Sequence, residues 1–304
     1  MILLTGATGC TGSYLLETLL AETGQDVIAW VRDPARLQIR SHPRLRIWDG
    51  GLEALDAYRS ELSQVSALIH AATVWGGPET FAINLRQTRR LIQALEPAVC
   101  RQLHLFSTAS LLDSSGRPWP QALRLGTDYI RSKATLHDWL ASSPQQITPS
   151  LYYPTVILGG DNSHPYSSVG AALPRLPIWL PWARWLRAGG RLHLIHARDI
   201  ARIVVHRLEH RLPPAQLVLG NPALSIDDLI TQLVQIYGQQ PVPLQLPLEP
   251  LLPALVQILK PWMSPWDRFS LQQRETMYQV VNAASYGLPE DLLSLEAMVK
   301  EVNS

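Results

Sequence analysis

The sequence is short of several things, and each shortage removes a class of function. Cysteine occurs only at positions 10 and 100, which supports neither a disulfide framework nor a cysteine metal cluster. A reducing, cytoplasmic setting is the default expectation from that usage. No apolar run is long enough to cross a bilayer, and Met1 leads straight into a strand-like segment, so neither a membrane span nor a signal peptide is expected. Acidic and basic residues nearly balance at a net charge of +1, without a long basic run. That balance gives no electrostatic case for nucleic acid. Lysine is confined to positions 133, 260 and 300, so nearly all positive charge is arginine. His206 and His210 lie four apart on a helix-like stretch, but no third ligand accompanies them and no metal site is expected.

What is present is organised around the first twelve residues. Ile2-Leu3-Leu4 runs into Thr5-Gly6-Ala7-Thr8-Gly9-Cys10-Thr11-Gly12. Three glycines at a spacing of three allow a tight turn, the approach of a pyrophosphate to main-chain N–H groups, and close packing of the next helix on the strand. Leu15, Leu16, Leu19 and Leu20 then share one helical face, with Glu17 pointing away, so a helix N-terminus faces the anion. At 304 residues the chain can bury a sizeable core. The lack of a second glycine fingerprint argues for one nucleotide domain with a smaller appended region.

The end of the second strand, Val27–Val31, bears on which dinucleotide fits. An NAD site usually places a carboxylate there for the ribose 2′-hydroxyl, and an NADP site needs a cation. Arg32 follows Val31, which favours NADP(H) over NAD(H), while Asp33 one place on speaks the other way. Residues 45–48 form a third strand ending at Asp49, within reach of an adenine edge. Residues 52–64 read as a helix. The fourth strand, 67–72, closes on His70, Ala71 and Ala72, whose last two small side chains leave room for a cofactor, although His70 alone reads as a satisfied core histidine. A helix over 79–95 puts Asn84 and Thr88 on one face. Residues 103–106 then deliver Ser107 and Thr108 to the same sheet edge. This alternation predicts an α/β fold with a doubly wound parallel sheet.

A helix opening near Gly126 carries Tyr129-Ile130-Arg131-Ser132-Lys133, and residues four apart on a helix share a face. The phenol and the ammonium can therefore look into one cleft. Taken in order, Thr5-Gly6-x-x-Gly9-x-x-Gly12, His70-Ala71-Ala72, Asn84-x-x-x-Thr88, Phe106-Ser107-Thr108 and Tyr129-x-x-x-Lys133 resemble the extended short-chain dehydrogenase/reductase family. Pro154-Thr155-Val156-Ile157-Leu158-Gly159 is similar to that family's nicotinamide-side loop. His196-Ala197-Arg198-Asp199-Ile200-Ala201 is similar to the segment that reopens its core. The resemblance covers about the first two thirds of the chain. It implies a cofactor site built from these residues, catalysis by Tyr129, Lys133 and Thr108, and pairing into a homodimer through helices beside the sheet.

The resemblance implies that Tyr129 moves the proton on an oxygen-bearing carbon and that Thr108 supplies a second hydrogen bond. Lys133 would favour the phenolate while holding the nicotinamide ribose, because a free phenol titrates near about 10. There are departures. Leu112-Asp113 stands where the family has Tyr-Gly, Tyr153 replaces an arginine before Pro154, and Ala109-Ser110 stands where sugar dehydratases carry Asp-Glu.

A Rossmann domain is expected over 1–160, continued by 192–222, with a mostly helical lobe from 161–191 and 223–304. In that lobe, Ser225 with Asp228 marks a helix start, and a last helix covers 289–302. Trp179, Trp182 and Trp185, and then Trp262 and Trp266, lie in Pro- and Leu-rich stretches. They suit a lid over an apolar substrate, a peripheral membrane contact, or plain packing or a protein interface. The leading expectation is an NADP(H)-dependent oxidoreductase acting on a ketone or secondary alcohol of a small, fairly apolar molecule. A nucleotide-sugar epimerase uses the same Tyr, Lys and Thr. A non-catalytic NADP(H)-binding subunit of a larger, membrane-associated complex is the alternative from another class.

Overall fold

The computed structural model describes residues 1–143, 146–243, 245–275 and 277–303. Its centre is an eight-stranded, all-parallel sheet. Starting at Ile2–Thr5 (β1), the strands run outward on one side through Val27–Val31 (β2) to Leu45–Asp49 (β3). On the other side stand Ala67–His70 (β4), Gln102–Phe106 (β5), Pro149–Pro154 (β6), Gln216–Leu219 and Val280–Val281. The order of the first six strands, 3-2-1-4-5-6, is that of a doubly wound dinucleotide fold, and the connections reverse direction between β1 and β4.

Both faces of this sheet are covered, so its strands are apolar on both sides. Alternation along β1 sends Leu3 into one layer, with Ile28, Trp30 and Leu68. It sends Ile2 and Leu4 into the other, with Val27, Ala29 and Ile69. The second layer is closed by Cys10–Glu22 (α1) packed against the helix Ala197–Glu209. The first holds Leu91 and Ile92 of the helix Thr88–Ala94, and Tyr129 and Ile130 of the helix Asp128–Ser142.

Three expected helices take other forms. Residues 52–64 divide into a tight 3₁₀ stretch, Leu52–Tyr58, and a single turn, Arg59–Leu62. Residues 79–95 open with a widened π turn, Ala82–Gln87, before the α-helix begins. Thr88 Oγ1 donates to the Ile83 carbonyl five residues back, a contact that suits the widened turn. The last helix starts only at Leu295, where Ser294 accepts from the Ala297 N–H. Ser225 caps the helix Ile226–Ile236 as expected.

A third apolar cluster, with Leu158, Leu173, Leu180, Leu233, Val234 and Met298, packs the lobe around the short strand Val156–Leu158 that follows β6. The strand Val280–Val281 returns from within 223–304 to complete the central sheet. Among the described residues no helix is long and apolar enough to cross a membrane.

Candidate functional site

The glycine turn leaves no room for side chains. Gly6 has φ +81°, and a Cβ there would lie 2.6 Å from the Ala72 backbone nitrogen. A Cβ at Gly12 would fall 2.0 Å from the Gly6 carbonyl oxygen. The turn closes with Gly9 N–H donating to that same carbonyl at 3.0 Å. Gly9 stands at the start of α1, where no side chain caps the helix and no acid occupies its first turn. The positive end of α1 is thus open to an anion. Thr8 and Thr11 are partly exposed at the rim. Burial pushes the Cys10 thiol up to about 12, so it is a neutral wall of the turn.

Thr5, at the end of β1, and Thr88 hold the ring of His70 between them at 2.8 and 2.9 Å. Desolvation, helped by the nearby Lys133 charge, lowers His70 to about 3. The ring is neutral with both nitrogens satisfied, a structural part of the floor beneath Ala71 and Ala72. Asn84 is likewise consumed locally. Its Oδ1 accepts from the Val74 N–H at 2.8 Å, and its Nδ2 donates to the Val74 carbonyl at 2.8 Å and to Ser132 Oγ at 3.1 Å. It ties the loop after β4 to the helix that carries Tyr129.

At the other end of the crevice, Arg32 is exposed and lies 3.9 Å from Glu79. The Asp33 carboxylate turns away to accept from Ala35 N–H at 3.0 Å. Asp49 is exposed at the end of β3.

Tyr129, Lys133 and Thr108 come together beyond the end of β5. Burial pushes the Tyr129 phenol well above its ordinary range, and a hydrogen bond with Thr108 offsets part of that rise. Lys133 is buried, and its Nζ lies 5.8 Å from the Tyr129 ring centroid and donates to the Phe106 carbonyl at 2.9 Å. Desolvation brings its ammonium down to about 8. The expected lowering of the phenol by Lys133 is not seen in this arrangement, because the ammonium sits over the ring and is engaged by the Phe106 carbonyl. Ser107 Oγ is buried beside them without a hydrogen-bond partner among the described residues.

On the far side, the Thr155 hydroxyl is used by the Leu219 carbonyl at 2.9 Å. Pro154 is buried, and Val156 packs into the lobe cluster. Two contributors escaped sequence reasoning. Trp75 stacks on Tyr129 with ring centroids 4.4 Å apart, although it is itself 67 % exposed. Its only sequence signal is a tryptophan before Gly76-Gly77-Pro78 just past a strand end. Tyr278 donates to the carbonyls of Ala109 and Leu112 at 3.0 and 3.2 Å, pinning the loop that follows Thr108. No local pattern announces it.

Residues 6–148 match the NAD(P)H-binding family model. A search of curated protein sequences finds no significant match. Among solved structures, gox2253 is similar at 21 % identity and a TM-score of 0.73, over 99 % of this chain and 96 % of that one. UDP-glucuronic acid 4-epimerase from Bacillus cereus, in complex with UDP-glucuronic acid and NAD, is similar at 16 % identity and 0.68, over 99 % and 98 %. DesIV, a dTDP-glucose 4,6-dehydratase from Streptomyces venezuelae with NAD bound, is similar at 17 % and 0.68, over 99 % and 95 %. Residues 6–148 thus match the NAD(P)H-binding family model, and the whole chain shares the Rossmann fold of these solved structures.

Proposed function

We propose that the protein is an NADP(H)-dependent oxidoreductase that interconverts a ketone and a secondary alcohol on a small, fairly apolar substrate. The observation that carries this reading is the meeting of Tyr129, Thr108 and Lys133 at the sheet edge that also holds the glycine turn. The residues suit a dinucleotide. The uncapped end of α1 and the crowding at Gly6 and Gly12 fit a pyrophosphate held by main-chain N–H groups from Cys10 to Gly12, with Thr8 at the rim. The orphaned Ser107 hydroxyl fits a polar group beside Lys133. Arg32 is the cation for a 2′-phosphate and Asp49 the partner of the adenine edge. Thr5, His70, Ala71, Ala72 and Asn84 shape the floor, and Pro154, Thr155 and Val156 form the nicotinamide-side wall.

NADP(H), when bound, supplies or accepts the hydride. The protein's own residues handle the oxygen. Tyr129 is protonated at neutral pH because burial raises its pKa, so in the reducing direction it is ready to donate to the carbonyl oxygen. Thr108 shares its hydrogen bond with the same oxygen and stabilises the charge that develops there. In the oxidising direction the phenol must give up its proton first, and the Lys133 ammonium would favour that by leaving the Phe106 carbonyl for the phenol oxygen. Trp75 walls the phenol with an apolar, planar face, which suits an apolar substrate.

A second reading, a nucleotide-sugar epimerase, is favoured by the similarity to proteins named as 4-epimerases. Cofactor stoichiometry separates the two. A reductase consumes one NADPH for each ketone reduced, followed at the nicotinamide absorbance band. An epimerase interconverts UDP-sugars with no net change in that band. Sugar conversion without cofactor turnover would replace the first reading by the second.

A further inference from the structure

Two stretches far apart in sequence, 173–187 and 240–263, meet in the lobe. The strand Leu186–Arg187 pairs with Leu246–Pro247. Arg184 donates to the Gln240 carbonyl, and Gln245 donates to the Arg184 carbonyl. The first stretch carries the eight-residue helix Leu176–Ala183 and the second the eight-residue helix Leu252–Leu259.

The first helix is anchored by Leu176 and Leu180, which join the lobe cluster with Leu233 and Val234. Its outer face is apolar as well, with Ile178, Trp179 and Trp182 exposed and Trp182 at 74 %. The second helix exposes Ile258 and Leu259 and leads into Trp262, 78 % exposed. A helix apolar on every side belongs in a core or against a non-aqueous phase, and the first of these two is at the surface. Trp266 does not share this character. It is buried against Phe269 in the main core, so for Trp266 the reading that holds is plain packing and not a membrane or protein contact.

Charge at this face is mostly positive, although Asp227 accepts from the Ala188 N–H at 2.9 Å. Arg175, Arg184, Arg187 and Lys260 stand against Glu249, which lies 3.6 Å from Arg274. Arg175 and Arg187 are exposed and make no ion pair among the described residues. Two copies pressed together through this face would set cations against cations.

We infer that this face docks on an anionic lipid bilayer, with Trp179, Trp182 and Trp262 at headgroup depth and Arg175 and Arg187 on lipid phosphates. Tryptophan concentrates at that depth, and the arginine fork matches phosphate oxygens. An eight-residue helix is about 12 Å long, against a hydrocarbon core of about 30 Å. The helices therefore lie in the interface and do not cross it.

The test is co-sedimentation of the whole protein with vesicles of phosphatidylcholine, alone or mixed with phosphatidylglycerol, at low and high salt. Binding is expected to the mixed vesicles, weakened by salt, with a blue shift of tryptophan emission. The Trp179→Ala/Trp182→Ala/Trp262→Ala variant changes only exposed side chains, and its circular dichroism reports folding. It is expected to lose both binding and blue shift. Arg175→Gln with Arg187→Gln is expected to lower partitioning roughly thirtyfold. The inference is overturned if the protein stays in the supernatant with anionic vesicles, or if the triple variant binds as well as the parent. It is also overturned if the triple variant merely turns a self-associating protein into a monomer without any vesicle binding.

Discussion

Removing the Lys133 ammonium tests the physics of the site without assuming any substrate. Lys133 is 4 % exposed, and desolvation lowers its pKa from 10.5 to about 8. Between those values the unfolded chain binds more protons than the folded one, so folding stability rises with pH across that window. Below it the charged, buried lysine costs the fold about 3 kcal/mol relative to its neutral form. Lys133→Met abolishes this titration. It also takes a donor from the Phe106 carbonyl, a loss of about 1 kcal/mol that offsets the whole curve without changing its slope, since a neutral amine still donates. Urea unfolding of both proteins from about pH 7 to about pH 11 gives the difference curve, in which the other lysines and the tyrosines cancel. The parent should gain about 3 kcal/mol on the variant over that range. A flat difference curve would refute the claim that Lys133 is held charged against a desolvation penalty. Such penalties are retained where a group serves chemistry.

Three further substitutions probe other parts of the account. Gly12→Ala places a Cβ 2.0 Å from the Gly6 carbonyl oxygen, a backbone atom that cannot swing aside. Equilibrium dialysis should show NADPH affinity down by tenfold or more, about 1.4 kcal/mol. Arg32→Ala should weaken NADPH by about tenfold to a hundredfold, the worth of a charge-assisted phosphate contact, and leave NADH unchanged. Equal effects on both nucleotides would remove Arg32 from the 2′-phosphate. Asn84→Ala leaves both backbone groups of Val74 without their partner, and a loss of about 2–4 kcal/mol in urea unfolding is expected. Faster proteolysis near Trp75 should accompany it.

The strands were the most legible part of the sequence. Val27–Val31 coincides with its apolar run because a buried parallel strand is apolar on both faces and ends where the run ends. The Ser225 cap was legible for a similarly local reason. Long-range contacts were not. The π turn before Thr88 accompanies an Asn84 bonded to a backbone ten residues earlier, and the two-residue strand Val280–Val281 exists only because the Gln216–Leu219 edge is there to pair with. At the site, motif spacing brought Tyr129, Thr108 and Lys133 together in advance. Trp75 and Tyr278 reach it from a glycine loop and from the far end of the chain, where no period or cap points inward. Within the second tryptophan segment Trp262 faces out and Trp266 packs in. Only the direction of the helix Pro265–Gln272, set by its Ser264–Asp267 capping box, separates them.

The most direct test of the central claim is NADPH oxidation with a panel of apolar ketones, run on the parent protein and on Tyr129→Phe, with nicotinamide fluorescence reporting binding in both. The account predicts tight NADPH binding by both proteins, turnover on at least one ketone by the parent, and a rate about a hundredfold to a thousandfold lower in the variant. Failure of the parent to bind either NADPH or NADH would contradict the account at its root, the turn from Gly6 to Gly12.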